Sequence, residues 1–334
     1  MTPNRLLARI STPRRIAAGA SLVILLGAGA GLLFARQTEG APVSTPSPSP
    51  TASPSPSPTP SPTPRPTPTA TPTATPAPDP DELNVTILLV GRDYLAARAA
   101  LGESGMNTDM LIVANIRADG SRIDLMSLPR DSVDVPLGDG STWPSKINSL
   151  RAARGLPALK QAMSAALAIP IDYYAEMTMD DLSRIVNAIG GVTVNLAAPL
   201  NDHHLGTSWR SGPNQLDGRT AVLFVRSRFA DSDYARAERN QLLLIALRNK
   251  LLGGGYDPLA LLTRLPGLAT DIPAADMPML LDLARRSAGA QLVGKVLAPP
   301  EFTLFTGMAG ARGWVSIPNL DAIRAYAASV FSPG

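Results

Sequence analysis

The chain contains 334 residues, of which 45% are hydrophobic and 17% are charged, and it has no cysteine. The absence of cysteine excludes disulfides, zinc–thiolate sites, iron–sulfur clusters and cysteine nucleophiles. The net charge of +3 comes from the N-terminal part, because residues 81–334 carry 24 basic and 25 acidic side chains. Non-specific binding to nucleic acid requires a basic excess, so we predict no nucleic-acid partner.

The N-terminus has the pattern of a membrane anchor. Four arginines precede an uncharged apolar run at 16–34, and a helix of that length spans roughly 28 Å, close to the hydrocarbon thickness of a bilayer. Arginines favour the cytoplasmic side, so we predict a cytoplasmic tail at 1–15, a transmembrane helix at 16–34 and an extracytoplasmic remainder in a single-pass protein of the cell membrane. A cleaved signal peptide is the alternative, but its apolar segment is usually shorter.

Residues 35–81 form a Pro/Ser/Thr-rich segment. Sixteen of the 33 prolines lie at 41–80, where many alternate with serine or threonine. Alternating proline removes backbone donors and favours extended polyproline II. We therefore predict a disordered linker at 35–81 and one folded domain at 82–334.

The domain alternates predicted strands with predicted helices. Apolar, β-branched runs predict strands, and longer Ala- and Leu-rich stretches predict helices. In chain order, we predict strands at 83–90, 110–116 and 123–128, a helix at 147–167, a strand at 173–177, a helix from Asp180 or Asp181 to 189, a strand at 192–196, a polar loop at 201–213, and helices at 216–226, 234–252, 258–264, 277–287 and 319–331, with weak strands before the last helix. This order indicates an α/β fold, a three-layer α/β/α domain with a central mixed sheet.

Charged clusters adjoin the predicted strands and helices, and in open α/β sheets ligands bind at strand ends. Asp93 and Asp109 suit Mg²⁺ (or Mn²⁺), which binds through a few carboxylates together with substrate phosphate oxygens. Arg130, Arg226 and Arg228 suit bidentate binding of phosphoryl oxygens. Together these residues indicate phosphoryl transfer. Singly, each cluster also fits a turn, a helix cap or a solvated face.

Eight segments with these clusters occur in an order that resembles the LytR-CpsA-Psr (LCP) family over about 84–252. The segments are Leu88-Leu-Val-Gly-Arg-Asp93, Thr108-Asp109-Met110, Ser127-Leu-Pro-Arg130-Asp131, Lys146-Ile-Asn148, Ala188-Ile-Gly-Gly-Val192, Leu216-Asp-Gly218, Val225-Arg-Ser-Arg228 and Asp233 with Arg236 and Arg239. The resemblance implies a transferase that moves a glycopolymer from a polyprenyl-pyrophosphate carrier to a peptidoglycan hydroxyl. A phosphodiester forms and polyprenyl phosphate leaves.

The resemblance also implies roles for individual residues. Asp93 and Asp109 are expected to bind the metal, and Arg130, Arg226 and Arg228 the pyrophosphate. The further substrate-binding residues expected are Arg92, Lys146, Asn148, Arg236, Arg239, Asn240 and Gln241. Asp131 or Asp233 is expected to act as the general base or to orient arginines. The carrier lipid is expected in an apolar groove between the sheet and the helices, lined by Leu88, Leu89, Ile112, Leu125 and the helix after Tyr234.

Two positions depart from the family pattern. Asn107 stands where the family usually has arginine, and Asn240 stands where glutamine is usual, with Gln241 next. Asn107 removes a positive charge, for which Arg92 beside Asp93 is the expected substitute. These departures favour one alternative, a non-catalytic polyprenyl-pyrophosphate-binding regulator of envelope assembly. A hydrolase that uses water as the nucleophile is the other alternative.

The three tryptophans, Trp143, Trp209 and Trp314, have flat faces that suit contact with sugar rings. Sparse aromatic side chains more often serve packing. The sequence alone does not choose between these roles.

Overall fold

The computed structural model of the chain describes residues 84–102, 107–228, 232–254, 256, 261 and 268–331. Among the helices in these ranges, none is long and apolar enough to cross a bilayer. The predicted transmembrane helix and linker lie outside the described residues, as does nearly all of the helix predicted at 258–264.

The described part has an α/β architecture built on a six-stranded mixed sheet. The strands are β1 (Val85–Arg92), β2 (Thr108–Ile116), β3 (Arg122–Ser127), β4 (Val135–Pro136), β5 (Thr142–Trp143), β6 (Tyr173–Thr178), β7 (Val192–Leu196), β8 (Leu200–Asp202), β9 (Thr207–Trp209), β10 (Gly212–Leu216), β11 (Ala269–Thr270), β12 (Gln291–Val296), β13 (Thr303–Met308) and β14 (Trp314–Pro318). The α-helices are α1 (Ala96–Ala100), α2 (Leu150–Leu167), α3 (Met179–Ala188), α4 (Gly218–Arg226), α5 (Asp233–Gly253), α6 (Met277–Arg286) and α7 (Leu320–Phe331).

Three segments meet at one end of the sheet, where β1 and β3 end and β2 begins. Its strand order is β11-β6-β1-β2-β3-β12, with β1 parallel to β6 and antiparallel to β2, and β3 antiparallel to β2 and parallel to β12. Because β1 and β2 are antiparallel, the end of β1 meets the start of β2, with Arg92 opposite Thr108. The end of β3 lies at the same end of the sheet, where Leu128 N donates to the carbonyl of Leu111 (3.1 Å).

Helices flank the sheet on both faces, as predicted. Side chains alternate along each strand, so Leu89 and Ile112 pack with α3, α4, α5 and α6, whereas Leu88 and Val113 pack on the opposite face with α2 and α7. All four are almost fully buried, and full burial of such a side chain stabilises the fold by about 1.5–3 kcal/mol.

Helix α3 begins differently from the prediction. Asp180 or Asp181 was the expected N-cap, but the cap is Thr178, whose Oγ1 accepts a hydrogen bond from Asp181 N (3.2 Å). The Asp181 carboxylate accepts in return from Thr178 N (3.2 Å). This reciprocal capping box satisfies two backbone donors at the start of the helix.

Two other segments are more structured than predicted. The helix predicted at 147–167 begins with a 3-10 turn, Ile147–Ser149, and α2 kinks at Gly155, whose φ of 83° favours glycine. The loop predicted at 201–213 includes the antiparallel pair β8–β9. Two short strands separated by polar residues carry too little periodicity to be predicted.

Candidate active site

A cavity of about 420 Å³ opens where the ends of β1 and β3 meet the start of β2. It is lined by Asp93, Arg98, Asn107, Asp109, Arg130, Asp131, Lys146, Asn148, Leu205, Arg226, Arg228 and Arg236. Six of these side chains are cationic and three are carboxylates, which gives the lining a formal charge of +3. We call it the charged cavity. Its lining contains members of all the charged clusters found in the sequence, so the structure brings those clusters together.

Asp93 lies between two arginines. Its carboxylate is 3.1 Å from Arg226 Nε and 3.1 Å from Arg98 NH1. Sequence analysis missed Arg98, which lies outside the eight segments that resemble the family. Arg98 and Asn107 line the same cavity, so Arg98 supplies the additional positive charge that was expected from Arg92.

Asp109 also lies between two arginines. Its carboxylate is 2.7 Å from Arg130 NH1 and 3.5 Å from Arg236 NH1. Burial alone would lower the pKa of Arg130, but the charges of Asp109 and Asp233 and the hydrogen bond to Asp109 raise it above its usual value. Arg130 therefore stays cationic.

A turn between α4 and α5 holds the third predicted arginine. Helix α4 ends at Arg226, and Asp202 Oδ2 accepts hydrogen bonds from Ser227 Oγ (2.8 Å) and from the backbone N of Arg228 (3.2 Å). Behind the turn, buried Arg239 donates to the Ser227 carbonyl. Arg239 was predicted to bind substrate, but the structure places it as a support of this turn. Asp202 is a second positioning residue that sequence analysis missed.

Asp131 and Asp233 form a carboxyl pair beside Arg130, whose Nε lies 3.9 Å from Asp131 Oδ2 and 3.5 Å from Asp233 Oδ2. Burial and the hydrogen bond with Asp233 raise the pKa of Asp131 above its usual range, although Arg130 and Lys146 act in the other direction. Burial also disfavours the charged form of Asp233, but the hydrogen bond with Asp131 and the charges of Arg236 and Arg130 lower its pKa. Of the two carboxylates, Asp131 therefore has the higher affinity for a proton. Lys146 Nζ lies 3.1 Å from Asp131 Oδ1.

A second cavity of about 470 Å³ adjoins the charged cavity. We call it the side cavity. The two cavities share the wall formed by Arg130, Asp131, Lys146 and Arg228, and the side cavity is also lined by Pro129, Ser232, Asp233, Tyr234, Trp314 and Ser316. Asp131 thus lines both cavities, whereas Asp233 lines only the side cavity of the two.

A narrow apolar cavity of about 30 Å³ lies between the sheet and helices α3, α4 and α5. It is lined by Gly91, Met110, Met177, Thr178, Met179, Leu182, Val225, Asn240, Leu243, Leu244 and Leu247. Leu89, Ile112 and Leu125, predicted for a lipid groove, lie in the apolar cluster on this face of the sheet without lining the cavity. The prediction for Leu88 is wrong, because strand alternation places it on the opposite face.

Four predicted substrate-binding residues, Arg92, Arg239, Asn240 and Gln241, do not line the charged cavity. Asn240 lines the apolar cavity instead. Arg92 lies 3.8 Å from Glu176 Oε1, with its guanidinium 4.5 Å from the centre of the Tyr94 ring. The Gln241 amide donates to Ser127 Oγ (2.7 Å) and ties α5 to the sheet.

The charged cavity suits a hard divalent cation only together with a phosphate ligand. No group of three or more His, Asp or Glu side chains that could hold a metal ion occurs among residues 84–331 where the structure describes them. Asp93 and Asp109 both line the cavity, and Asp93 Oδ1 is buried and forms an ion pair with Arg226 Nε (3.1 Å) that does not meet hydrogen-bond geometry. Mg²⁺ characteristically binds through one or two carboxylates, waters and substrate phosphate oxygens, so the residues present fit it.

Comparison with known proteins identifies the family. A model of the LytR_cpsA_psr family matches residues 65–259, more than half of the chain. The chain belongs to the LytR-CpsA-Psr family. TagU of Bacillus mycoides (strain KBAB4), described as a polyisoprenyl-teichoic acid–peptidoglycan teichoic acid transferase, is 32% identical over 170 residues, which cover 50% of this chain and 52% of the relative. The chain thus spans about half the length of the curated relatives it matches.

Solved structures of the family share the fold. The structure of TagT bound to LIIa-WTA superposes with a TM-score of 0.57 at 21% identity, covering 75% of this chain and 91% of that one. Bacillus subtilis TagV superposes with a TM-score of 0.56 at 20% identity, covering 75% and 98%. At these identities the likeness establishes the fold alone.

Proposed function

We propose that this LCP protein is a membrane-anchored phosphotransferase that transfers a glycopolymer from a polyprenyl-pyrophosphate carrier to a peptidoglycan hydroxyl, with its domain outside the cell membrane and its N-terminus in the cytoplasm. The observation that carries the proposal is the charged cavity, with a formal charge of +3, close to an apolar cavity under the helices. The names of relatives such as TagU, which denote teichoic acid transfer to peptidoglycan, support it.

The charged cavity provides the groups that a pyrophosphate diester requires. Arg130, Arg226 and Arg228 present planar guanidinium groups that can each donate two parallel hydrogen bonds to phosphoryl oxygens. Because their partner aspartates already orient Arg130 and Arg226, little reorganisation is needed when charge develops on the phosphate. Asp93 and Asp109 would hold Mg²⁺, which when bound neutralises phosphate charge and polarises the phosphorus–oxygen bond.

The prenyl chain of the donor would lie in the apolar cavity. At about 30 Å³ the cavity is too small for such a chain, so it has to widen when the donor binds. Met110, Met177 and Met179 line the cavity, and methionine side chains adapt readily to irregular apolar shapes.

The reaction is a substitution at the sugar-linked phosphorus. The acceptor hydroxyl oxygen forms a bond to that phosphorus, and the bond between phosphorus and the bridging oxygen breaks, so polyprenyl phosphate leaves. The hydroxyl proton passes to the Asp131–Asp233 pair, of which Asp131 lies on the wall between the two cavities and Asp233 lines the side cavity. General-base assistance of this kind contributes about 10²–10⁴-fold to the rate.

The test is product analysis with the full chain in detergent. It is incubated with a polyprenyl-pyrophosphate oligosaccharide, Mg²⁺ and peptidoglycan fragments, and the products are separated by chromatography and mass spectrometry. We expect polyprenyl phosphate and a phosphodiester-linked saccharide on peptidoglycan. Free saccharide phosphate in its place would show a hydrolase, and an unchanged bound donor would show a binding regulator; either result contradicts the proposal.

A matched pair of arginine variants accompanies this assay. Arg228→Ala should lower the transfer rate by about 10²–10³-fold, because one donor to the developing charge is lost. Arg219→Ala, at an exposed arginine on α4, should transfer at the rate of the unmodified chain. Equal rates for the two variants would remove Arg228 from the mechanism.

A further inference from the structure

The three tryptophans differ in what surrounds them. Trp209 is buried and packs edge-on against Phe224, with ring centres 5.4 Å apart. Trp143 is partly buried, and its Nε1 donates to the Lys146 carbonyl (3.1 Å). Trp314 is 53% exposed and lines the side cavity. Trp209 and Trp143 are thus explained by packing and by support of the Lys146 segment, whereas Trp314 presents an aromatic surface beside the candidate active site.

The hairpin that carries Trp314 is fixed to the catalytic segment. Two backbone hydrogen bonds join Ser316 of β14 to the segment that follows Arg130. Ser316 N donates to the Asp131 carbonyl, and Val133 N donates to the Ser316 carbonyl, each at 3.0 Å. The hydroxyl of Tyr234, next to Asp233, lies 3.4 Å from Ser316 Oγ. The position of Trp314 relative to the carboxyl pair is therefore set by the fold.

The lining of the side cavity combines one aromatic face with several polar groups. Lys146 and Ser232 offer hydrogen-bond donors, and Asp131 and Asp233 offer acceptors, Asp131 on the wall shared with the charged cavity. A sugar ring has the matching chemistry, because its axial C–H bonds suit the electron-rich face of an indole and its hydroxyls suit charged hydrogen-bonding groups. A volume of about 470 Å³ lies in the range of small-ligand sites.

We propose that the side cavity is the acceptor subsite, in which a pyranose ring of a peptidoglycan glycan strand lies against Trp314 and presents its hydroxyl to the Asp131–Asp233 pair. This proposal rests on the proposed function and adds the place of the acceptor. Strands β13 and β14 lie outside residues 65–259, so the family match does not account for the subsite. The donor phosphates and the acceptor thus approach the shared wall from opposite sides.

The first experiment separates acceptor binding from donor binding in the full chain. With the polyprenyl-pyrophosphate oligosaccharide as donor and uncrosslinked glycan strands as acceptor, Trp314→Ala should raise the KM for the acceptor about tenfold, with the KM for the donor unchanged. Trp314→Phe keeps an aromatic face and should recover most of the loss. Phe305→Ala is the control, because Phe305 is an exposed aromatic residue of the same hairpin whose side chain does not line the cavity.

The second experiment measures binding without turnover. A soluble oligosaccharide of the peptidoglycan disaccharide repeat is titrated into the full chain by calorimetry, and near-ultraviolet circular dichroism verifies that each variant is folded. We expect saturable binding that Trp314→Ala weakens about tenfold and Phe305→Ala leaves unchanged. If the unmodified chain transfers no saccharide, the proposed function fails, and this titration still decides whether the cavity binds glycan.

Three results would overturn the acceptor subsite. One is an acceptor KM in Trp314→Ala equal to that of the unmodified chain while transfer proceeds. Another is the absence of glycan binding in the titration. The third is a loss of binding to phospholipid vesicles in Trp314→Ala with glycan binding intact, which would show that the exposed hairpin contacts the membrane instead.

Discussion

At the residue scale, the candidate site is organised by carboxylates that each hold two arginines. Asp93 contacts Arg98 and Arg226 at 3.1 Å, and Asp109 contacts Arg130 at 2.7 Å and Arg236 at 3.5 Å. The contact between Arg130 and Asp109 has the length of a charge-assisted hydrogen bond, and the other three contacts are longer ion pairs. Such pairs fix guanidinium groups in place before a ligand arrives, so the positive charge at the rim of the sheet is preorganised.

Replacement of Asp93, a candidate metal ligand, should weaken metal binding. Asp93→Asn keeps the shape of the side chain but loses its charge, so Mn²⁺ binding measured by electron paramagnetic resonance in the presence of inorganic pyrophosphate should weaken at least about tenfold. EDTA should abolish transfer by the unmodified chain. Asp282→Asn, at an exposed carboxylate on α6, is the control. Full activity of Asp93→Asn in EDTA would refute the metal role.

The carboxyl pair predicts the direction of a pH effect. Because burial and Asp233 raise the pKa of Asp131, the acidic limb of kcat/KM should lie above the ordinary carboxyl range, with the rate rising as the pair loses its proton. Asp233→Asn removes the carboxylate that helps to raise the pKa of Asp131, so the acidic limb should move to lower pH. Asp131→Asn should lower kcat about 10²–10⁴-fold.

The pH profile of a neighbouring variant provides the comparison for that prediction. Asp134 pairs with Arg312 at 2.9 Å on the surface, so Asp134→Asn should leave the acidic limb unmoved. An acidic limb at the same pH in Asp233→Asn and in the unmodified chain would contradict the role of the pair.

The sequence predicted much of the site at this scale but not its supports. Asp93, Asp109, Arg130, Arg226 and Arg228 adjoin strands and helices whose apolar patterns are strong, so topology alone brings them to one rim. Their roles in catalysis and binding stay predictions. Arg98 and Asp202 lie on short elements, for which a single sequence carries no signal. Arg239 was singled out by the sequence, but as a substrate-binding residue, because its contact with the Ser227 carbonyl depends on packing between two segments.

At the element scale, helices α3 and α5 form walls of the apolar cavity. Both helices begin near the end of the sheet at which the charged cavity opens. Helix α3 follows β6 without a loop, and its capping box sets the point where strand becomes helix. Met179 and Leu182 of α3 line the cavity. The residue at which α3 begins therefore sets the positions of Met179 and Leu182 in the wall of the apolar cavity.

Loss of the α3 cap should reduce stability by a measurable amount. Thr178→Ala removes the side-chain oxygen that accepts from Asp181 N and the hydroxyl that donates to the Asp181 carboxylate (2.6 Å). The free energy of unfolding in urea should fall by about 1 kcal/mol. Thr142→Ala, at an exposed threonine on β5, should change it by less than about 0.5 kcal/mol. Equal stabilities of the two variants would contradict the capping role.

Long, strongly patterned elements were predictable and short ones were not. The continuous apolar run of β1 and the alternation in β7 predict strands within two residues of their observed positions. The pairs β4–β5 and β8–β9 contain strands of two or three residues, too short to show a period. Their conformation depends on tertiary contacts, as at Asp202, which binds the turn after α4.

At the scale of the whole molecule, two parts of the chain contribute to one site. Residues within 65–259 match the family model and carry the charged and apolar cavities. Residues 268–331 add β12 at the edge of the sheet and the β13–β14 hairpin beside the side cavity. The predicted anchor at 16–34 and linker at 35–81 would place this site above the membrane that holds the lipid-linked donor.

The most direct test of the account follows one phosphorus atom. A polyprenyl-pyrophosphate oligosaccharide is labelled with ³²P only at the sugar-linked phosphate and incubated with the full chain, Mg²⁺ and peptidoglycan, and the label is then located by chromatography. Attack on that phosphorus predicts label in a phosphodiester on peptidoglycan and unlabelled polyprenyl phosphate. Label that remains with the lipid, or that appears only as soluble phosphate, would contradict transfer at the charged cavity.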